Sequence, residues 1–204
     1  MNRIRFFLSS LVVLTAVGAL TLPGTAPEAE SSPAAAGTYT VDLIHSTMMF
    51  ELRFSGISTF YGRFNEYGGT FRLDESDLSK TSFDLVVKSA SVDTGIEKRN
   101  GSLMSPDYFS SKQYPEFRFV SKSTKVLGGK KLEVKGELTA RGVTKPVTCQ
   151  VVYGGEVPAG KGQVRAGFDG TITFKRSDFG INGGQNFLSD EVTLHLGLCG
   201  VKKK

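Results

Sequence analysis

Two histidines, His45 and His195, and two cysteines, Cys149 and Cys199, are the side chains of this chain best suited to nucleophilic or metal chemistry. No Cys-x-x-Cys, His-Glu-x-x-His, Gly-x-Ser-x-Gly or phosphate-loop spacing surrounds them. The expectation is a protein that is not an enzyme, with no catalytic residue, no metal site and no cofactor. Asp74 and Asp77 are close in sequence but fall in a polar turn, where solvation explains them better than acid–base work. His195 lies on the wet phase of an alternating segment and reads as a solvated ring rather than a ligand. His45 either meets a ligand head group or steadies an irregularity in a strand. Asn100-Gly101-Ser102 is a glycosylation sequon, which matters only in a host that uses it.

The remaining chemistry is apolar. Phe50, Leu52, Phe54, Phe83, Leu85, Phe117 and Phe119 share the dry phase of successive segments. Phe168, Ile172, Phe174, Leu194 and Leu196 continue it near the end of the chain. Such a set either fills a core or lines a cavity for a greasy ligand. Polar specificity would then come from loops, where Arg99, Asn100, Ser102, Tyr108, Asn182 and Gln185 are available, with His45, Arg99, Asn100 and Tyr108 the candidates to hold a head group.

These residues sit on strands. From Thr38 onward apolar residues recur at every second position in about eight segments, with charged or polar residues such as Glu51, Arg53, Arg118, Glu133, Lys135 and Arg165 between them. One face is dry and the other wet. Gly128-Gly129 fits a two-residue hairpin, and Gly68-Gly69, Arg141-Gly142 and Gly154-Gly155 mark further reversals or bends. Asp169-Gly170 interrupts no phase, so a bulge inside one long strand is expected there. Tyr39, Val41 and Leu43 are odd-numbered where Met48 to Phe54 alternate on even numbers, which places another bulge near residues 44–47, with His45 on it. Ser105-Pro106-Asp107 and Pro115 bracket a short helix over residues 107–111 in the long connection 95–114.

The fold class is all-β. Segments of 10 to 14 residues favour an eight-stranded antiparallel barrel over a sandwich, and a barrel of that size can hold one elongated ligand. By parity Cys149 faces inward and Cys199 outward, so no disulfide joins them.

The 204 residues allow one domain with an appendage. Arg3 and Arg5 precede an apolar run over 6–22, so residues 1–22 read as a secretory signal peptide, with an uncleaved anchor as the rival; residues 23–37 read as a linker or processed spacer, and 38–204 as the domain. An exported, periplasmic or secreted location follows. The net charge of +5 permits weak contact with an anionic membrane surface but supplies no basic patch for nucleic acid, since only Lys202, Lys203 and Lys204 form a run.

The order of the pieces resembles the YceI-like family of exported polyisoprenoid-binding proteins. The resemblance begins at Tyr39-Thr40-Val41-Asp42-Leu43-Ile44-His45-Ser46 and passes through Gly62-Arg63-Phe64, Ser105-Pro106-Asp107-Tyr108-Phe109 and Tyr114-Pro115-Glu116-Phe117. It continues with Gly142-Val143-Thr144-Lys145-Pro146-Val147 and Ser177-Asp178-Phe179-Gly180. It implies an eight-stranded antiparallel, lipocalin-like barrel that takes one long isoprenoid or other lipid chain, without catalysis, for transport, storage or sensing. Similar sequences often carry a histidine where this one has Phe54, so a head-group contact would be missing here. Burying each isoprene unit contributes roughly 2–3 kcal/mol at about 25 cal/mol/Å². The rival expectation is an interaction or carbohydrate-binding β-module with a filled core.

Overall fold

The computed structural model describes residues 36–203; the expected signal and nearly all of the expected linker lie outside the described residues. Eleven strand segments form a single antiparallel sheet. They are β1 (Gly37–Val41), β2 (Thr47–Phe54), β3 (Ser58–Phe64), β4 (Tyr67–Leu73), β5 (Ser82–Lys88) and β6 (Val92–Asp93), then β7 (Glu116–Gly128), β8 (Lys131–Ala140), β9 (Val143–Pro158), β10 (Gln163–Lys175) and β11 (Glu191–Lys203).

Register reduces these segments to eight staves. β4 pairs β1 and β5, while β3 pairs β2 and β6, so β1–β2, β3–β4 and β5–β6 are three staves, each broken once. β11 pairs β10 along its length, β2 at Thr193–Gly197 and β1 at Gly200 and Val201, which closes the barrel. The eight-stranded antiparallel barrel expected from alternation is the observed fold.

The break between β1 and β2 is a 3-10 turn, Leu43–His45, in the place where the apolar phase changes number. Asp42 makes the turn: its carboxylate accepts from the Ile44 amide at 3.1 Å and from His45 Nδ1 at 2.7 Å. The His45 contact, first among several, holds the Asp42 carboxyl below the usual carboxylate range. A depressed folded-state pKa stabilises the fold above the unfolded value, and that contribution is lost as pH falls through the folded value. Asp42→Asn should therefore melt at a lower temperature than wild type at pH 7, with the gap closing below about pH 4; thermal melts across pH check this.

Arg141 and Gly142 have positive φ, 49° and 74°, and join Ala140 to Val143 as a two-residue hairpin. The β7–β8 turn is also a two-residue hairpin but lies one residue later than expected: Gly128 ends β7 paired with Lys131, and Gly129 and Lys130 make the turn. β10 runs unbroken through Asp169-Gly170; the register shift lies at Gly167/Phe168, against Gly154-Gly155 of β9, two residues earlier than the phase argument placed it.

One expectation fails. The α-helix, α1, is Glu97–Met104, not 107–111, and Asp107 to Ser111 form turns. Proline disfavours helical geometry in the residue before it, so Ser105 ends a helix rather than starting one. The helix is pinned from its other end, where Asn100 Oδ1 accepts from the Thr94 amide at 2.9 Å and the Thr94 hydroxyl at 2.6 Å.

Candidate functional site

The alternating strands turn their apolar faces inward, but the interior is not uniform along its axis. At the end that carries the chain's first strand and the β7–β8 and β9–β10 hairpins, aromatic rings meet and fill it. Tyr39 stacks on Phe71 at 5.0 Å between centroids; Phe168 meets Phe71, Phe83 and Tyr153 at 5.2, 5.1 and 5.2 Å. Beneath these rings the Tyr39 hydroxyl donates to Glu156 at 2.6 Å and the Tyr153 hydroxyl donates to Glu75. Burial first, then these carboxylates, pushes both phenols above their ordinary range. This end is a floor.

Above the floor lies a cavity of about 120 Å³, counted as the space that the centre of a water molecule can reach. Its wall includes Phe50, Leu52, Phe83, Leu85, Phe117, Phe119, Phe168, Ile172, Phe174, Leu194 and Leu196, eleven of the twelve apolar residues singled out from sequence. From Phe168 to the end of β10 the wall runs roughly 20 Å along the barrel at ordinary strand rise and tilt.

Phe54 stands apart. It is 44% exposed at the rim, where its ring meets Phe187 at 5.9 Å. Of the four head-group candidates, Tyr108 lines the cavity and three do not. His45 is exposed on the outer wall beside Asp42. Arg99 lies over the Phe60 ring at 4.4 Å, and its guanidinium donates to the hydroxyl and carbonyl of Thr94. Asn100 is committed to Thr94 as described above. Among the other loop residues, Ser102 donates to the Lys98 carbonyl, and Gln185 bonds Asn182 at the surface. His195 is half exposed on the wet face, with Nε2 3.4 Å from Glu51.

The other end of the cavity is covered by elements without strand periodicity. Leu103 of α1, Tyr108 and Phe109 from the turns after it, and Ile181 and Leu188 from the β10–β11 loop all line the cavity. Phe109 meets Phe117 and Phe64 at 5.2 and 5.9 Å, which ties the first of these covers to the wall. The Gly183 amide donates to the Asp107 carbonyl at 2.8 Å, and Arg141 reaches the carbonyls of Pro106 and Tyr108. Together they form a lid.

Arg176 organises half of that lid. It is 4% exposed, and its guanidinium donates to four carbonyls, those of Ser189, Ile181, Gly183 and Leu188, at 2.6–3.3 Å. Burial lowers its pKa, opposed by the charge of Asp190, whose carboxylate is held by the amide and hydroxyl of Ser177. No other side chain of the described residues ties together so much of the loop. Sequence reasoning missed it, although Arg176 stands two residues past Phe174, where the dry phase of β10 runs on into the 3-10 turn Arg176–Phe179.

Both cysteines are free, Cys149 buried in the cavity wall and Cys199 half-buried, as parity requires. Burial pushes the Cys149 thiol up to about 12 and raises that of Cys199 as well. Native protein at pH 8 should leave Cys149 unmodified by a thiol-reactive dye while Cys199 reacts slowly; two thiols should titrate once the chain is unfolded. Peptide mapping after labelling separates the two.

Residues 39–198 match the model of the YceI-like domain. The chain belongs to the YceI-like family. A UPF0312 protein of Photorhabdus laumondii is 35% identical over 176 residues, 85% of this chain and 91% of the relative. The crystal structure of BcnA from Burkholderia cenocepacia superposes with a TM-score of 0.69 at 26% identity, covering 78% of this chain and 98% of the other. A polyisoprenoid-binding domain from Saccharophagus degradans has the same fold, with a TM-score of 0.59 at 18% identity over 79% of this chain and 97% of that domain. Among the described residues, no helix of this family member is long and apolar enough to cross a membrane.

Proposed function

We propose that this protein is an exported, non-catalytic carrier that encloses the chain of an isoprenoid or similar amphiphilic lipid inside its barrel and shields it from water. The observation that carries the reading is the apolar cavity held between an aromatic floor and a loop lid. Membership of the YceI-like family and the polyisoprenoid-binding relative from Saccharophagus degradans support the class of ligand. The rival filled-core module needs the wall residues to meet each other along the whole axis. They meet at the floor and again among Phe50, Phe64 and Phe117, but an apolar cavity remains between them.

The wall supplies affinity without a strong polar anchor. Covering apolar chain surface contributes roughly 25 cal/mol for each Å² removed from water, and the ordering of a flexible chain offsets part of it. Tyr108 is the one head-group candidate placed on the cavity, so polar recognition would act at the lid. The apolar run over 6–22 supports export, and a ligand insoluble in water is what an aqueous compartment outside the membrane would need carried.

Extraction of purified protein with organic solvent, followed by mass spectrometry, tests the reading. A chain-like lipid present in near-stoichiometric amount is the expected result. Repeated recovery of none, together with no uptake of an added prenyl quinone, would overturn it.

A further inference from the structure

Glycines that face the barrel interior are of two kinds. At Gly62, Gly136 and Gly200 an aromatic ring lies where a side chain would begin: atoms of Phe50, Phe119 and Phe71 come within 2.3, 2.6 and 2.3 Å of an ideal Cβ. Those rings use the space the glycines leave. Gly170 differs. It lines the cavity, and the nearest atoms to its ideal Cβ are the Gln150 carbonyl oxygen and Val151 Cγ2 at 3.5 Å and Leu196 Cβ at 3.9 Å, which is ordinary contact. Its φ is not positive, so the backbone does not demand glycine either.

A glycine inside a strand marks a bulge, a bend, or the close approach of a ligand or another backbone; at Gly170 the register is regular and no backbone atom crowds the ideal Cβ, which leaves lateral room in the wall for a ligand. Gly170 stands two residues from Phe168, whose ring belongs to the floor, so this room is at the deep end of the cavity. The far end of a chain admitted head-last through the lid arrives there. An isoprenoid ends in a carbon bearing two methyl groups, whereas a straight acyl or alkyl chain ends in one.

We propose that Gly170 forms a terminal subsite, widening the deep end of the cavity sideways to take the branched end of an isoprenoid chain in preference to a straight one. This rests on the reading of the cavity as a chain-binding site and adds to it a basis for choosing between chain types.

The test is fluorescence displacement from the full chain, with a prenyl alcohol and a straight-chain alcohol of the same backbone length as competitors. Wild type should bind the prenyl alcohol more tightly. Gly170→Ala, which adds one methyl group in ordinary contact, should weaken prenyl binding about threefold, and Gly170→Val at least tenfold, while straight-chain binding changes by less than twofold. Valine favours strand geometry, and circular dichroism with thermal melts shows whether each variant keeps the fold. If Gly170→Val does not fold, Gly170→Ala carries the test alone. Equal losses for the two competitors, or no loss for either, would overturn the subsite. Failure of wild type to bind either alcohol would overturn the carrier reading itself, and the subsite with it.

Discussion

Phe168→Ala is expected to lower the stability of the barrel by about 3–5 kcal/mol, the range for removing a fully buried phenylalanine ring. Phe168 is 3% exposed and is the hub of the floor, with edge contacts to Phe71 and Phe83 and a tilted contact to Tyr153. Aromatic pairs of this geometry add to area burial, and no neighbour can collapse far into the space because the others are themselves held: Tyr39 and Tyr153 by their carboxylate partners, Phe71 by its stack on Tyr39. The surviving protein should have a deeper cavity. Urea unfolding gives the stability loss, and displacement with a series of prenyl alcohols should show the longest accepted chain moving upward. A stability loss under about 1 kcal/mol would mean that the floor is not packed as described.

Arg176→Leu should cost about 2–4 kcal/mol, because it leaves four loop carbonyls without their donor and only those near the surface can turn to water instead. The Ile181 carbonyl is the most costly of the four, since its bond to Arg176 is buried. The effect should be concentrated in the lid. Amide exchange is expected to quicken at Ile181 and Gly183, whose amides bond the Arg176 and Asp107 carbonyls, and to stay slow at Leu132 and Val134 in the wall. Arg176→Lys should recover part of the loss, having fewer donors but the same reach into the loop. Uniform acceleration across the barrel would contradict a role confined to the lid.

The wall was legible in the sequence because it obeys one period. Residues such as Phe50, Leu85, Phe119 and Ile172 alternate with charged neighbours, and a two-residue repeat has only one way to place them all on the closed side of a sheet. The interruption at His45 was legible for the same reason, since a change of phase has to be absorbed by an irregular turn. The lid was not legible. Leu103, Phe109, Ile181 and Leu188 lie in connections, where no period says which way a side chain points. The helix was misplaced because Ser105-Pro106-Asp107 fits a helix start as well as a stop; the bonds that Asn100 Oδ1 accepts from Thr94 anchor it on the other side of that stop. Gly170 sits on the dry phase of β10, and Arg176 continues that phase one residue past the strand's end, as residues that a dry face does not ask for; each was a signal, and each belongs to the cavity.

The dry set both fills and lines, in different parts of the barrel. Phe83 and Phe168 belong to the dry set, yet they face the cavity as its base rather than as its side. The cavity lies above them, and the polar groups Glu75 and Glu156 are walled off below.

The most direct measurement is a crystal structure of the full domain grown with a prenyl quinone. Continuous density for the chain should run from the lid at Tyr108 and Leu188 down to Gly170 and Phe168. Rings closed across that space, with the quinone lodged only on the outer wall, would contradict the account.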